Sequence, residues 1–589
     1  MDVKPPIINC HSHVFTGDHV PPYLAKTFVP WPFYYFLPLS LVVSLFRMWY
    51  NHINEWKHKA WWVKIHQILF RLKILGDRNL LAKGLIFLFG LMITIHAFFI
   101  LYDGFVLIIK PQANYNDIVN ALRKWLLDYN LLYIPKSLLL KSLLVLIVFI
   151  FFKLGRNFIF FILKKIWAFL GILPGSDSKA LAKRYLNIGR YAFYKEQYKV
   201  FNRLKKQYPT GAGFVLLPMD MEFMGAGSLK EANNYAAQME GLLRIKKNHK
   251  DSVFPFVFID PRRLKKEEAK HFDYEVQNGK VILKDCFIKE YIEKHGFSGF
   301  KIYPSLGYYP FDEVLLPLWK YAADNDLPIL THCIRGTIFY RGKKEKQWDK
   351  HPVFKQCPSK GIEEALDLLE IKNKDFVNNF THPLNYLCLL DERFLRQLIA
   401  KSKDKRIHDL FGYQEDEPNL KQNLRELKLC FGHYGGDDEW KRFMEQDRGN
   451  YGHQMIQYPS KGIDFSAEEE KHEDDEALEK RQDKLAQIWR SADWYSIISS
   501  LMLQFPNVYA DLSYILYNPQ IQPLLKQTLL NPGLKSRVLF GTDFYVVRNH
   551  LSDKNILADL MDQLSESEFD QIARFNPSAF LNNTVWSNR

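Results

Sequence analysis

Residues 7–13 read Ile-Ile-Asn-Cys-His-Ser-His (IINCHSH), an apolar opening followed by His11 and His13 two positions apart. In a strand, side chains alternate between faces with a period of two, so both imidazoles point the same way. Two imidazoles so spaced can hold one divalent ion at about 2.0–2.1 Å. A lone His-x-His pair is a weak sign. It gains weight from three further apolar runs that each end on a metal-ligating side chain. They are Pro328–His332 (PILTH), Leu427–His433 (LKLCFGH) and Val538–Asp543 (VLFGTD).

Between these stations the chain alternates short apolar runs with helical patterns, as successive βα units do. Gly213–Pro218 (GFVLLP), Val253–Ile259 (VFPFVFI), Gly299–Tyr303 (GFKIY) and Asn507–Asp511 (NVYAD) bring the strand-like runs to eight. Eight parallel strands with intervening helices close into a TIM barrel whose working groups sit at the strand C-termini. The expected fold is therefore α/β, a distorted TIM (β/α)8 barrel. Ile334–Asn379 and Lys401–Glu426 read as loop insertions, and Asp464–Lys484 as a solvated charged helix without chemistry.

The chain has 589 residues and a formal net charge of +14. Residues 1–190 hold 23 Lys/Arg against 8 Asp/Glu, whereas the remainder holds 56 against 57. The basicity thus belongs to the part that carries the longest apolar segments, which fits an anionic membrane surface better than nucleic acid. No nucleic-acid reader motif accompanies it. Gly84–Ile109 has no formally charged residue as far as Tyr102, and about 20 apolar residues cross a bilayer core. Ser137–Phe152 is apolar but short, with Lys141 placed to snorkel. Thr27–Phe46 is broken by three prolines, and Asn157–Leu173, with Lys164 and Lys165, reads as an interfacial helix.

His11 must meet ligands far downstream, so the chain has to cross a membrane an even number of times. The simplest hairpin uses 84–109 and 137–152. Seven Lys/Arg and one Asp in Lys57–Lys83 put both flanks in the cytoplasm by the positive-inside rule. The expected organisation is a first strand and loop (1–26), a helical membrane-associated insertion (27–190) and the rest of the barrel (191–589). Buried core helices, or an attachment that never reaches the far side, are the competing readings. No signal-peptide pattern precedes His11. The six cysteines form no CxxC pair, which favours a reducing compartment.

The strand ends resemble the amidohydrolase superfamily, and within it the amidohydrolase-related family that includes aminocarboxymuconate-semialdehyde decarboxylase. The matching pieces are NCHSHVF, FIDPRR, GFKIYP, PFDEVLLPLWKYAADNDLPILTHC, LKLCFGHYGG, NVYADLS, VLFGTDF and RFNPSAFL. They cover residues 5–15 and about 210–582; the apolar block between the first two strands has no counterpart. The resemblance implies one divalent metal, zinc first, with manganese or a second ion as alternatives. It places the ligands on His11, His13, His332 and Asp543. His433 would be an acid/base beside a metal-held water, or a further imidazole ligand, and Asp543 could accept that water's proton. Lys301 divides two implied readings: a carboxylated bridge between two metals, or an ammonium paired with a substrate anion or structural carboxylate. Arg335 is a candidate substrate clamp. Tyr303 and Asp511 are candidates for the mouth. His382 reads as a helix-entry residue, and His52, His58, His66 and His96 show no ligand spacing.

These features lead to the expectation of a membrane-attached hydrolase that faces the cytoplasm. Its metal-bound hydroxide would attack an amide, ester, lactone or similar bond of a small, possibly amphipathic, substrate. The alternatives are non-oxidative decarboxylation on the same scaffold, and a silent ligand-binding scaffold. Oligomeric state stays open, a homo-oligomer included.

Overall fold

The computed structural model describes residues 4–27, 60–108, 113–133, 135–151 and 194–582, except 337, 360–361, 369, 446–447 and 466–483. A few single positions between 35 and 47, and 157, 161 and 191, are described as well. Most of Thr27–Phe46, of Asn157–Leu173 and of Asp464–Lys484 lies outside the described residues, as do His52 and His58. The chain divides into two compact units, Met1–Phe46 with Arg184–Arg589, and Arg47–Lys183.

In the larger unit, each of the eight runs contains a strand. They are β1 (Ile8–Ser12), β2 (Gly213–Leu216), β3 and β4 (Val253–Pro255 and Val257–Phe258), and, beyond a β5–β6 hairpin (Tyr274–Gln277, Lys280–Leu283), β7 (Phe300–Ile302) and β8 (Ile329–Ile334). After a second hairpin, β9–β10 (Lys350–Ser359, Ile362–Asp367), come β11 (Leu429–Gly435), β12 (Val508–Asp511) and β13 (Val538–Leu539). Two parallel sheets result, ordered β1-β2-β3 and β13-β12-β11-β8-β7-β4. The third run bends at Phe256, so that β3 pairs with β2 while β4 pairs with β7. Backbone bonds also join the last run to the first: Cys10 N–H donates to Phe540 O at 2.9 Å, and Asp543 N–H to His11 O at 2.9 Å. Buried on both faces, parallel strands favour unbroken apolar runs, which is why GFVL of β2 and the VFP and VF of β3 and β4 stand out in the sequence.

The two hairpins went unread in the sequence. Asn278-Gly279, between YEVQ and KVIL, takes φ of 52° and 71°. Such a pair is the standard two-residue link of an antiparallel hairpin, because its twist matches that of the strands. The second hairpin lies inside the insertion 334–379.

Asp493 caps the helix Trp494–Gln504, its carboxylate accepting from Ser496 N–H at 2.7 Å and Ser496 Oγ at 2.9 Å. Burial pushes its carboxyl up to about 6, against the pull of the Ser496 bonds. Stabilisation from this raised group is complete below the unfolded value of 3.8 and is lost as pH rises through about 6. Asp493→Ser keeps a capping oxygen. Wild type should lose about 3 kcal/mol relative to that variant between about pH 3 and 7, with no further divergence above. Urea unfolding across that window checks it; parallel profiles contradict it.

The smaller unit consists, among the described residues, of helices Ala60–Arg78, Leu80–Ile108, Ala113–Asp128 and Leu138–Phe151. One of them, over Leu80–Asp103, is long and apolar enough to cross a membrane. Leu138–Phe151 has 14 residues. Arg123 makes a two-pronged ion pair with Asp103 at 2.8 and 3.3 Å, and Phe99, Leu126 and Leu132 form a small core. His96 Nε2 accepts from Tyr133 N–H at 2.9 Å, a structural use of that ring.

Candidate metal centre

His11 and His13 leave β1 on one face, as their spacing requires. Each commits its Nδ1–H elsewhere: His11 Nδ1 meets Asp511 Oδ2 at 2.8 Å, and His13 Nδ1 meets Leu217 O at 2.9 Å. Both carbonyl and carboxylate oxygens are acceptors only, so each ring carries its proton on Nδ1 and keeps a lone pair on Nε2. Those two Nε2 atoms approach Asp543 Oδ1, at 3.8 Å from His11 and 3.3 Å from His13. The ligand atoms of His11, His13 and Asp543 all lie within 4.8 Å of one another. Donors around a tetrahedral ion with bonds of about 2.0 Å stand roughly 3.3 Å apart. Three buried donors at this separation, with His11 Nε2 unpartnered among the described residues, fit a divalent metal.

A second cluster, His11, His433 and Asp511, is equally compact. Its carboxylate is already saturated. Asp511 accepts from His11 Nδ1–H, from His433 N–H at 3.0 Å, from Ser513 N–H at 3.0 Å and from Ser513 Oγ–H. Because Ser513 spends its only hydroxyl proton on Asp511, its oxygen must accept from His433 Nδ1 at 2.9 Å. That fixes the His433 tautomer as well, and the lone pair of its Nε2 receives His332 Nδ1–H at 3.1 Å. One unbroken chain of hydrogen bonds therefore runs from His332 through His433, Ser513 and Asp511 to His11.

This chain revises several expectations about individual residues. Asp511 is not at the mouth; it is fully buried beneath the imidazoles. His332 is not among the three residues whose ligand atoms lie within 4.8 Å of one another. Its ring stacks on Tyr303 at 3.7 Å, its Nδ1 faces His433, and its Nε2 has no partner among the described residues. Tyr303 thus serves as the platform under His332. Arg335 is half exposed, 3.3 Å from Glu439 and over the Trp494 ring. His382 accepts from Leu384 N–H at 3.2 Å at a helix entry. Lys301 is fully buried, and its Nζ has no hydrogen-bond partner among the described residues. Ser513 received no role from the sequence. The available signal was its place two residues after Asp511, the spacing at which an aspartate side chain bonds a following N–H.

Electrostatics keep three of the imidazoles neutral, the form that ligates a metal. Burial holds His11, His332 and His433 well below the usual imidazole range, reinforced by Lys301 at His11, by His433 at His332 and by His11 at His433. Burial also raises the Asp543 carboxyl, against the pull of His13 and Lys301. Lys301 is brought down to about 8 by burial, against the attraction of Asp511 and Asp543.

The strand ends that carry these groups are bent hard. His433, Tyr434, Gly435 and Gly436 follow one another at φ of 66°, 43°, 83° and 96°, and Asp543 sits at 61°. Non-glycine residues in this region cost of order 1–3 kcal/mol and persist only where surroundings hold them. Here Asp511 holds His433 N–H and His11 O holds Asp543 N–H. At Gly432 a Cβ would stand 3.0 Å from His11 Cε1 and 2.8 Å from Thr331 O, so only glycine lets the His11 ring cross β11.

No family model matches the chain, and no curated protein does. Among solved structures it is similar to a 2,6-dihydroxybenzoate decarboxylase complexed with 2,6-dihydroxybenzoate, with 13% identity, 70% of this chain and 93% of that one covered, and a TM-score of 0.35. It is similar to 5-carboxyvanillate decarboxylase of Novosphingobium aromaticivorans with bound manganese (15% identity, 71% and 88% covered, TM-score 0.35). A third is an amidohydrolase of Burkholderia multivorans (11% identity, 67% and 91% covered, TM-score 0.31). These neighbours are amidohydrolase-superfamily enzymes, the family that the strand-end motifs resemble. At such identities and scores the likeness leaves the reading of the site to its own geometry.

Proposed function

We propose that this chain is a metal-dependent hydrolase of the amidohydrolase type, built on a closed TIM-like barrel and acting on an amide, ester, lactone or similar carbonyl. The observation that carries the reading is the approach of two Nε2 lone pairs to one carboxylate oxygen among buried side chains. The backbone bonds from the chain just beyond β13 back to β1 support the closed barrel. His11, His13 and Asp543 would hold the ion, with the unpartnered Nε2 of His332 as fourth donor. Bound there, a zinc or manganese ion supplies Lewis acidity and brings the pKa of a water it holds toward neutrality.

The remaining roles belong to the protein. His433 Nδ1 is committed to Ser513 and its Nε2 lone pair holds His332 Nδ1–H, so His433 orients the His332 ring and takes up a proton at Nε2 only when that bond opens. The carboxylate of Asp511, one hydrogen bond beyond Ser513, favours the charge that His433 then acquires. Decarboxylation is the second reading. It is favoured by Lys301, a buried ammonium without a hydrogen-bond partner among the described residues, available to a substrate carboxylate.

The experiment is metal analysis of the purified full chain reconstituted with Zn2+ or Mn2+, followed by a panel of esters, lactones, amides and carboxylates in 18O-labelled water. About one ion per chain and 18O in the product support hydrolysis; carbon dioxide release without 18O assigns the second reading. A protein that retains no ion leaves the scaffold reading.

The proposal extends to attachment at a membrane through the smaller unit, with the metal-bearing unit on the cytoplasmic side. The apolar span Leu80–Asp103 and the surplus of Lys/Arg in residues 1–190 support it. Alkaline carbonate extraction of cell membranes should leave the full chain in the pellet; release into the supernatant contradicts the attachment.

A further inference from the structure

Behind the metal cluster lies a second buried polar network that uses none of its ligand atoms. Asn9, Thr542 and Asp553 are fully buried and Tyr208 nearly so. Asn9 fills its whole hydrogen-bonding capacity. Its Oδ1 accepts from His11 N–H at 3.1 Å and Thr542 N–H at 3.2 Å, and its Nδ2 donates to Tyr208 OH and Thr542 Oγ1, both at 2.8 Å. Each hydroxyl that receives this amide must pass its own proton onward. Both pass it to Asp553 Oδ1, Thr542 at 2.6 Å and Tyr208 at 3.4 Å. Asp553 is the one member that only accepts, so it sets the direction of every bond in the network. Were the hydroxyl protons turned the other way, they would oppose the Asn9 amide and the side chain would flip, withdrawing its oxygen from His11 and Thr542.

We infer that Asp553 is a positioning residue: through Thr542 and Tyr208 it fixes the orientation of Asn9, which clamps the backbone of His11 to that beside Asp543 and so presets the spacing of two metal donors. The clamp joins the first strand to the loop after the last, where the chain segments meet with no covalent link between them. This inference rests on the metal reading given above. Partners one step behind metal ligands cost 10–100-fold in affinity when removed, about the size of effect expected here.

The test titrates Mn2+ alone into the full chain and reads free ion by electron paramagnetic resonance. Asp553→Ala and Thr542→Val should each weaken Mn2+ binding about tenfold or more. Asp553→Asn retains an accepting oxygen and should stay within about threefold of wild type. Hydrogen exchange of the metal-free proteins supplies an independent readout: the amides of His11 and Thr542 should lose protection in Asp553→Ala and Thr542→Val and keep it in Asp553→Asn. Wild-type affinity and protection in both damaging variants overturn the inference. If Asp553→Ala does not fold, Thr542→Val, which cuts the same link without touching a charge, decides alone. Should wild type bind no Mn2+, the metal reading falls, and the exchange data still decide whether the clamp exists.

Discussion

The full chain carrying His13→Ala should lose at least about a hundredfold in affinity for Zn2+ or Mn2+, and with it the reaction. Removing groups one step behind a ligand already costs 10–100-fold, so deleting a donor sets that as a floor. The ring contributes an Nε2 that stands 3.3 Å from Asp543 Oδ1. Alanine also strips Leu217 O of its donor, which costs about 1–3 kcal/mol in a buried place and blurs metal loss with unfolding. His13→Asn separates the two: its amide N–H replaces Nδ1–H toward Leu217 O, while nothing replaces Nε2. Both variants should elute without metal, and His13→Asn should keep the wild-type melting temperature in chelator. Retention of stoichiometric ion by His13→Asn would remove His13 from the ligand set.

A large effect is expected from a residue that would touch no metal. Asp511→Ala leaves His11 Nδ1–H, His433 N–H and Ser513 N–H with no carboxylate in a fully buried site. At about 1–3 kcal/mol for each unsatisfied group, and with incomplete additivity, the fold should lose roughly 3–5 kcal/mol. Asp511→Asn is more informative. Its remaining oxygen can still serve His433 and Ser513, but the new N–H₂ confronts His11 Nδ1–H, donor against donor. His11 escapes by moving its proton to Nε2, the atom required as a lone pair, much as a wrong tautomer disables a catalytic triad. The asparagine variant should therefore stay folded and bind Mn2+ about a hundredfold more weakly. Wild-type affinity in Asp511→Asn would show that the His11–Asp511 bond does not set the tautomer.

The eight strands were legible because a strand buried on both faces favours apolar residues, and each run here is short and continuous. His11 and His13 were legible because period-two spacing is a local rule. The link between His332 and His433 was not, since it depends on two rings from adjacent strands, and no spacing reports that. Asp511 was misplaced for a related reason. A carboxylate at a strand end looks the same in sequence whether it faces solvent or, as here, four buried donors. Asn278-Gly279 was different, a readable hairpin passed over inside what looked like helical chain. Ser513 and Asp553 were beyond reach of the sequence, because their roles follow from which hydroxyl gives its proton to which oxygen.

The pairing of β1 with β2 on one side and with the chain beyond β13 on the other has a consequence for biosynthesis. Ile8 waits for Gly213, and His11 waits for residues 540–543, before either strand edge is covered. At ribosomal speeds of about 5–20 residues per second, the second interval is roughly half a minute or more. A nascent chain halted before residue 543 carries His11 and His13 without Asp543, and so lacks one of the three side chains that approach one another here. On the proposed reading, the donor cluster is complete only once Asp543 has been translated.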